Sequence, residues 1–406
     1  MNIKKIIYYF TPVIAILIVL IIANHANLPI TDLVKTSSGP SGQVKKQADA
    51  VLFTSGYSNN AAVFNLNELF FTSSNEIEIK KTYECALNVP AVKLFPAAGT
   101  LNTLILSADL KNIYLYDNTA RTISEMIINK LKDTAANASK SSKEYLAVKS
   151  AALNQKSPRI AVIYENSSQI IVYDAATLRE LFKIDAGAGV LPEDVIWNGD
   201  EIYFNTAPSV AESNAITICA CKPPYSKVEK LGEYSMPRPY VSARLVKSEK
   251  VLKTILYNEF TGTLILFDHQ ASNFSIITNN MPPALKNQKS DNTAVNNASI
   301  STCPVSSLIT WISDSKFAVI RGDMAKIFIF NENKQENELT LDPAYQKSVI
   351  SAAPITINKN AGCLISSTTC DKLSLFDYTS QKIIFQKSLG DKVKIFAIET
   401  AQPLSK

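Results

Sequence analysis

The sequence predicts an all-β chain: a seven-bladed β-propeller, closed by pairing of its C-terminal strand with its first blade and preceded by an N-terminal transmembrane helix. Three observations lead there. A pattern of alternating apolar residues, ending in an aromatic and then Asp or Asn, recurs about every 52 residues. The chain enters that repeat at its second strand and leaves it on an orphan strand. An apolar run of membrane-spanning length stands near the N-terminus.

Composition bounds the class. Of 406 residues, 46% are hydrophobic and 19% charged, enough apolar side chain for a large core. Forty-one Lys plus Arg against 36 Asp plus Glu leave +5 with no basic block, so nucleic acid is not expected as a partner. Two histidines, His25 and His269, leave too few ligands for a His-rich zinc centre and remove the usual base of a triad. No cofactor is expected.

Taken in chain order, Lys4 and Lys5 precede an uncharged run from Ile6 to Ala23. At 1.5 Å per residue it reaches about 27 Å, close to the thickness of a bilayer's hydrocarbon core. A cleaved signal peptide is the competing reading, but its apolar region is shorter, the candidate site at Asn24-His25-Ala26 is poor, and no cysteine follows to accept lipid. Residues 1–26 are therefore read as a membrane anchor (or signal peptide), 27–48 as a flexible linker around Thr36 to Gly42, 49–400 as the propeller and 401–406 as a tail. Lysines before the span keep the N-terminus cytoplasmic. Heavy use of Lys, Asn, Ile and Ser suits an AT-rich bacterial genome, which places a single-pass protein in the inner membrane with its propeller in the periplasm. Six cysteines are tolerable there. Cys363 and Cys370 flank a short turn and are the expected disulfide; the alternative is that the cysteines are small buried residues.

The repeat positions are Asn65, Asp117, Asp174, Asp268, Asn331 and Asp377, with a degenerate copy ending at Ala220. Each follows a strand such as Ile170-Ile171-Val172-Tyr173. Another strand precedes it, as in Arg159 to Tyr164, and a more polar one follows, as in Leu178 to Ile184. A fourth, such as Val195-Ile196-Trp197, lies upstream; four antiparallel strands make a blade. The first repeat lacks that upstream strand at Val51 to Thr54, and Val393 to Ile398 is left over to supply it, which would bury two open sheet edges. A two-sheet sandwich offers as many short strands but no such closure.

The segment Ile171-Val172-Tyr173-Asp174-Ala175-Ala176-Thr177-Leu178 resembles the WD40, YVTN and quinoprotein-like propeller superfamily, in which an aromatic-Asp pair ends the third strand. The likeness spans about residues 48–400. Gly-His and Trp-Asp pairs are missing, so the Asp is expected to cap the following turn rather than join a buried network. In function the nearest likeness is to the propeller subunit of the outer-membrane β-barrel assembly machinery, though that family's lipid-accepting cysteine is absent and it has eight repeats.

Hydrolase, nucleotide-binding and zinc-protease motifs are absent. Trp197 and Trp311 fall in first strands and read as core, which disfavours quinone binding; His269 reads as an exposed turn residue. The expected function is a noncatalytic, membrane-anchored scaffold, tethered through residues 6–23 and binding a protein partner of the cell envelope. The rival is a propeller enzyme or ligand-binding protein with a metal held in the channel by carboxylates such as Glu193 or Asp194. Partner contacts are expected on the face carrying the blade-to-blade connections: Met236, Arg238 and Tyr240 in one, and Lys286, Lys289 and Asp291 in a long insertion.

Overall fold

Runs such as Arg159 to Tyr164 carry β-branched and aromatic residues with no internal Gly or Pro, and they form strands for that reason. The computed structural model describes residues 50–400 apart from connecting segments, the longest being 128–145 and 284–306. The described residues form 28 strands and a 3-10 turn at Pro343–Tyr345.

The strands β1 (Ala50–Ser58), β2 (Ala61–Phe71) and β3 (Ile77–Leu87) open the chain as a meander. Six blades of consecutive strands follow. Blade I holds β4 (Ala91–Pro96), β5 (Asn102–Ser107), β6 (Asn112–Asp117) and β7 (Thr122–Ile127). Blade II holds β8 (Val148–Leu153), β9 (Arg159–Tyr164), β10 (Gln169–Asp174) and β11 (Glu180–Asp185). Blade III holds β12 (Val190–Asn198), β13 (Glu201–Pro208), β14 (Ala215–Cys221) and β15 (Val228–Ser235). Blade IV holds β16 (Val241–Lys247), β17 (Lys250–Asn258), β18 (Thr263–Asp268) and β19 (Asn273–Thr278). Blade V holds β20 (Ser307–Trp311), β21 (Lys316–Arg321), β22 (Lys326–Asn331) and β23 (Lys334–Thr340). Blade VI holds β24 (Ile350–Ile357), β25 (Asn360–Ser367), β26 (Lys372–Asp377) and β27 (Lys382–Ser388).

The last strand, β28 (Val393–Thr400), runs antiparallel to β1, with Leu52 opposite Ile398 and Phe53 opposite Ala397. It completes a composite sheet ordered β28-β1-β2-β3. First strands line the centre: β28 touches β4, β4 touches β8, β8 touches β12, β16 touches β20, β20 touches β24, and β24 returns to β28. An Arg244–Asp194 ion pair joins β12 to β16.

Two expectations are corrected here. Seven equivalent blades were expected, whereas six are built from consecutive strands and the remaining sheet is composite. Among the described residues no helix is long and apolar enough to cross a membrane, because every described element is a strand or the single 3-10 turn. The transmembrane helix, and with it the single-pass inner-membrane placement with a periplasmic propeller, is withdrawn from the architecture; residues 6–23 lie outside the described residues.

The cores lie between sheets. In β9, Ile160, Val162 and Tyr164 face a cluster shared with Phe95, Leu104 and Ile113 of blade I. The alternate residues Ala161 and Ile163 face Val195, Trp197 and Phe204 of blade III. A strand with both faces buried needs apolar residues at every position, which is why β9 and β10 read as continuous apolar runs. Each fully buried Ile or Phe contributes about 1.5 to 3 kcal/mol. The seam between blades III and IV departs from this pattern: it packs Ile216, Met236, Leu256 and Ile265 with flanking aromatics, and Phe267 lies against Gly232. Its inner part is polar.

Candidate functional site

Antiparallel strands put the blade-to-blade connections and the turns between second and third strands on one face of the disk. On that face, blade IV gathers three chain segments. Asn258, fully buried at the end of β17, accepts backbone N–H bonds from Phe260 at 2.9 Å and Thr261 at 2.8 Å through Oδ1. Its Nδ2 donates to the Pro237 carbonyl at 2.6 Å, tying the β15–β16 connection to the β17–β18 turn. Gly262 closes that turn at φ +68°, and Met281 N–H donates to its carbonyl at 3.3 Å. Arg321 then donates to the carbonyl of the neighbouring Pro282 at 2.6 Å.

Arg321 is itself 0% exposed and paired with Asp323 and the Tyr257 hydroxyl. Burial alone would lower this guanidinium's pKa, but the hydrogen bonds and charge of Asp323 outweigh that and leave it raised. Ser307, where the chain re-enters β20, donates to buried Glu259 at 2.6 Å. Phe260 stands at the tip of this assembly, 42% exposed.

The expected partner contacts fall unevenly. Met236 is buried against Ile216, Leu256 and Ile265, so it supports the connection from beneath, and its expected role at the surface is corrected. Tyr240 is half-buried on the same cluster. Arg238, Lys286, Lys289 and Asp291 lie outside the described residues. Phe260 was missed, although an aromatic inside Asn258-Glu259-Phe260-Thr261-Gly262, a turn that packing does not require to be apolar, is a legible signal.

Among the repeat positions, Asp174, Asp268 and Asp377 accept backbone N–H groups of the turn after the third strand, from Ala176 and Thr177, Gln270 and Ala271, and Thr379 and Ser380. At Asp174 the Thr177 backbone bond leads in holding the carboxyl below its usual range. Asp117 and Asn331 end β6 and β22, and Asn331 Nδ2 donates to Glu336 at 3.0 Å. Asn65 lies inside β2, opposite Thr54 and Glu84, and ends no strand.

The expected Cys363–Cys370 disulfide is corrected. Cys363 is a free thiol, fully buried between blades V and VI, and burial pushes its pKa up to about 12. It stands opposite Phe376 of β26, four residues back from the end of β25 at Ser367. Cys370 lies outside the described residues.

The carboxylates proposed for a metal are both held by cations. Glu193 meets Lys149 of β8 at 2.5 Å. Asp194 takes both ends of the Arg244 guanidinium at 2.8 Å and the Ser242 hydroxyl at 2.5 Å, and Arg244 also donates to Asn205. Burial would raise the Asp194 pKa, yet the Arg244 charge and hydrogen bonds override it and hold it low. Lys93 of β4 joins this wall with its stem on the Phe95 ring, the ammonium 4.9 Å from the ring centroid. Protein surrounds it and lowers its pKa, while its surface stays open, as befits a side chain projecting into a channel. Among the described residues no group of three or more His, Cys, Asp or Glu comes together. Sequence reading overlooked these cations. Lys93, Lys149 and Arg244 fall in first strands about one and then two repeats apart, a signal available from the start.

His269 is not the exposed turn residue expected. It packs edge-on to Phe267 and Tyr203 and shares a 2.8 Å hydrogen bond with Thr254. Burial, helped by the Arg244 charge, lowers its pKa to about 4.

A closed ring of four-stranded antiparallel sheets around a channel defines a β-propeller. Solved structures bear this out at the level of fold. A functionally unknown protein from Desulfotomaculum acetoxidans DSM 771 superposes with TM-score 0.52 at 11% identity, over 87% of this chain and 99% of that one. The dihydro-heme d1 dehydrogenase NirN, in complex with DHE, matches with TM-score 0.51 at 10% identity over 88% of this chain and 67% of its own. The WD40 repeats of RRP9 match with TM-score 0.50 at 10% identity over 77% and 84%. The resemblance to WD40-like propellers therefore holds as a likeness of fold. No family model matches the sequence, and no curated protein matches it.

Proposed function

We propose that this chain is a noncatalytic propeller scaffold that binds another protein through the connection-bearing face of blade IV, with Phe260 at the centre of the contact. The observation that carries this reading is an exposed aromatic on a turn whose neighbours are fixed from three sides, by Asn258, Met281 and Arg321. Aromatic anchors on rigid supports lose little entropy on binding and form interface hot spots. Half-buried Pro237 and Tyr240 and the exposed Pro282 and Pro283 lie on connections of the same face.

The test places a photo-crosslinking phenylalanine analogue at Phe260 in the full chain in cells, with Ile276 on the outer strand β19 as the control position. A discrete crosslinked protein from position 260 and not from 276 is the expected result. A folded protein that yields no specific adduct at 260 would sink the proposal.

A further inference from the structure

The channel wall gathers three cations and two carboxylates from the first strands of four consecutive blades: Lys93, Lys149, Glu193, Asp194 and Arg244. Four of these charges cancel in two pairs, Lys149 with Glu193 and Arg244 with Asp194. Lys93 makes no hydrogen bond or ion pair with any described residue, and its head sits over the Phe95 ring with its surface open. Asp194, the carboxylate whose charge acts on Lys93, is already held by Arg244, so three cations face two carboxylates and one positive charge is in excess.

Hydrogen bonding shows the same imbalance. Arg244, whose side chain is 4% exposed, has no acceptor for Nε–H, and fully buried Asn205 has none for Nδ2. The missing component carries negative charge and accepts hydrogen bonds.

We infer that the channel beside Lys93 binds a small oxyanion, a carboxylate or a phosphate group, held by the spare ammonium of this donor-rich wall. Lysine suits this task as a point charge that accepts either shape, whereas the planar Arg244 fork is already committed to Asp194. A metal ion would meet the opposite field, since both carboxylates are neutralised. The site is separate from the Phe260 face, so it stands or falls independently of the scaffold reading.

The test is calorimetric titration of the full chain with acetate and with inorganic phosphate at constant ionic strength, chloride serving as the reference anion. Saturable binding at least about tenfold tighter than chloride is expected for one of the two, and the tighter one identifies the class of headgroup. Lys93→Met keeps the stem over Phe95 and removes the charge, and it should weaken binding about tenfold or more. Lys93→Gln serves if the Met variant fails to fold. Equal affinity in the folded variant, or no saturable binding of either anion to the native chain, overturns the inference.

Discussion

Replacing Gly262 by alanine tests the mechanical argument for the Phe260 turn. Gly262 sits at φ +68°, where a Cβ costs about 1 to 2 kcal/mol. The added Cβ would also stand 2.1 Å from the Met281 carbonyl oxygen, so the β19 exit must move and its hydrogen bond to the turn is lost. Leaving a buried polar group unpaired adds about 1 to 3 kcal/mol, for a total of about 2 to 5 kcal/mol. Gly187→Ala is the control: its φ is also positive, at +109°, but the new Cβ meets nothing nearer than Val190 Cγ2 at 3.9 Å. Urea unfolding followed by tryptophan fluorescence reads both variants. Trp311 of blade V is well placed as a reporter, since its indole N–H reaches the Ala243 carbonyl of blade IV at 3.5 Å. Gly262→Asn, which tolerates the dihedral but keeps the Cβ, should be nearly as damaging as alanine. If Gly262→Ala costs no more than Gly187→Ala, the turn is not braced by Met281 and the rigidity claimed for Phe260 is wrong.

Three further outcomes are expected. Arg321→Met should cost about 3 to 5 kcal/mol in the same assay, because Asp323, the Tyr257 hydroxyl and the Pro282 carbonyl lose a shared partner inside the protein; a loss under about 1 kcal/mol would count against a buried network. His269 has a folded-state pKa lowered from 6.5 to about 4, so the unfolded chain binds its proton first and stability must fall as pH drops across that window. His269→Leu should flatten the pH dependence of the urea midpoint between 6.5 and 4, and an unchanged slope would contradict the buried neutral ring. Ending the chain at Gly390 removes β28 and bares the inner edge of β1, so the single cooperative transition should broaden or split in calorimetry; an unaltered transition would show that closure contributes little.

Much of the fold was legible in the sequence because a strand buried on both faces must be apolar at every position, and an Asp beside it must cap a turn. Asp174, Asp268 and Asp377 do so. Asn65 misled because β2 runs on to Phe71, carried by ladder pairing with β3 that no local motif announces. The disulfide failed for a related reason. Proximity to a turn says little until the register fixes which residue stands opposite, and the register puts Phe376 across from Cys363.

By itself the sequence determined that the chain is all-β, repeats about every 52 residues and carries its spare polar segments between blades. Those are properties of period and composition, which local chemistry sets. Only the tertiary structure decided that Met236 points inward and Phe260 outward, that Asp194 belongs to Arg244 fifty residues away, and that Lys93 is left outside both ion pairs of the channel wall. Such facts depend on which blade lies against which, and partners brought together by ring closure leave no mark in the local spacing of either residue.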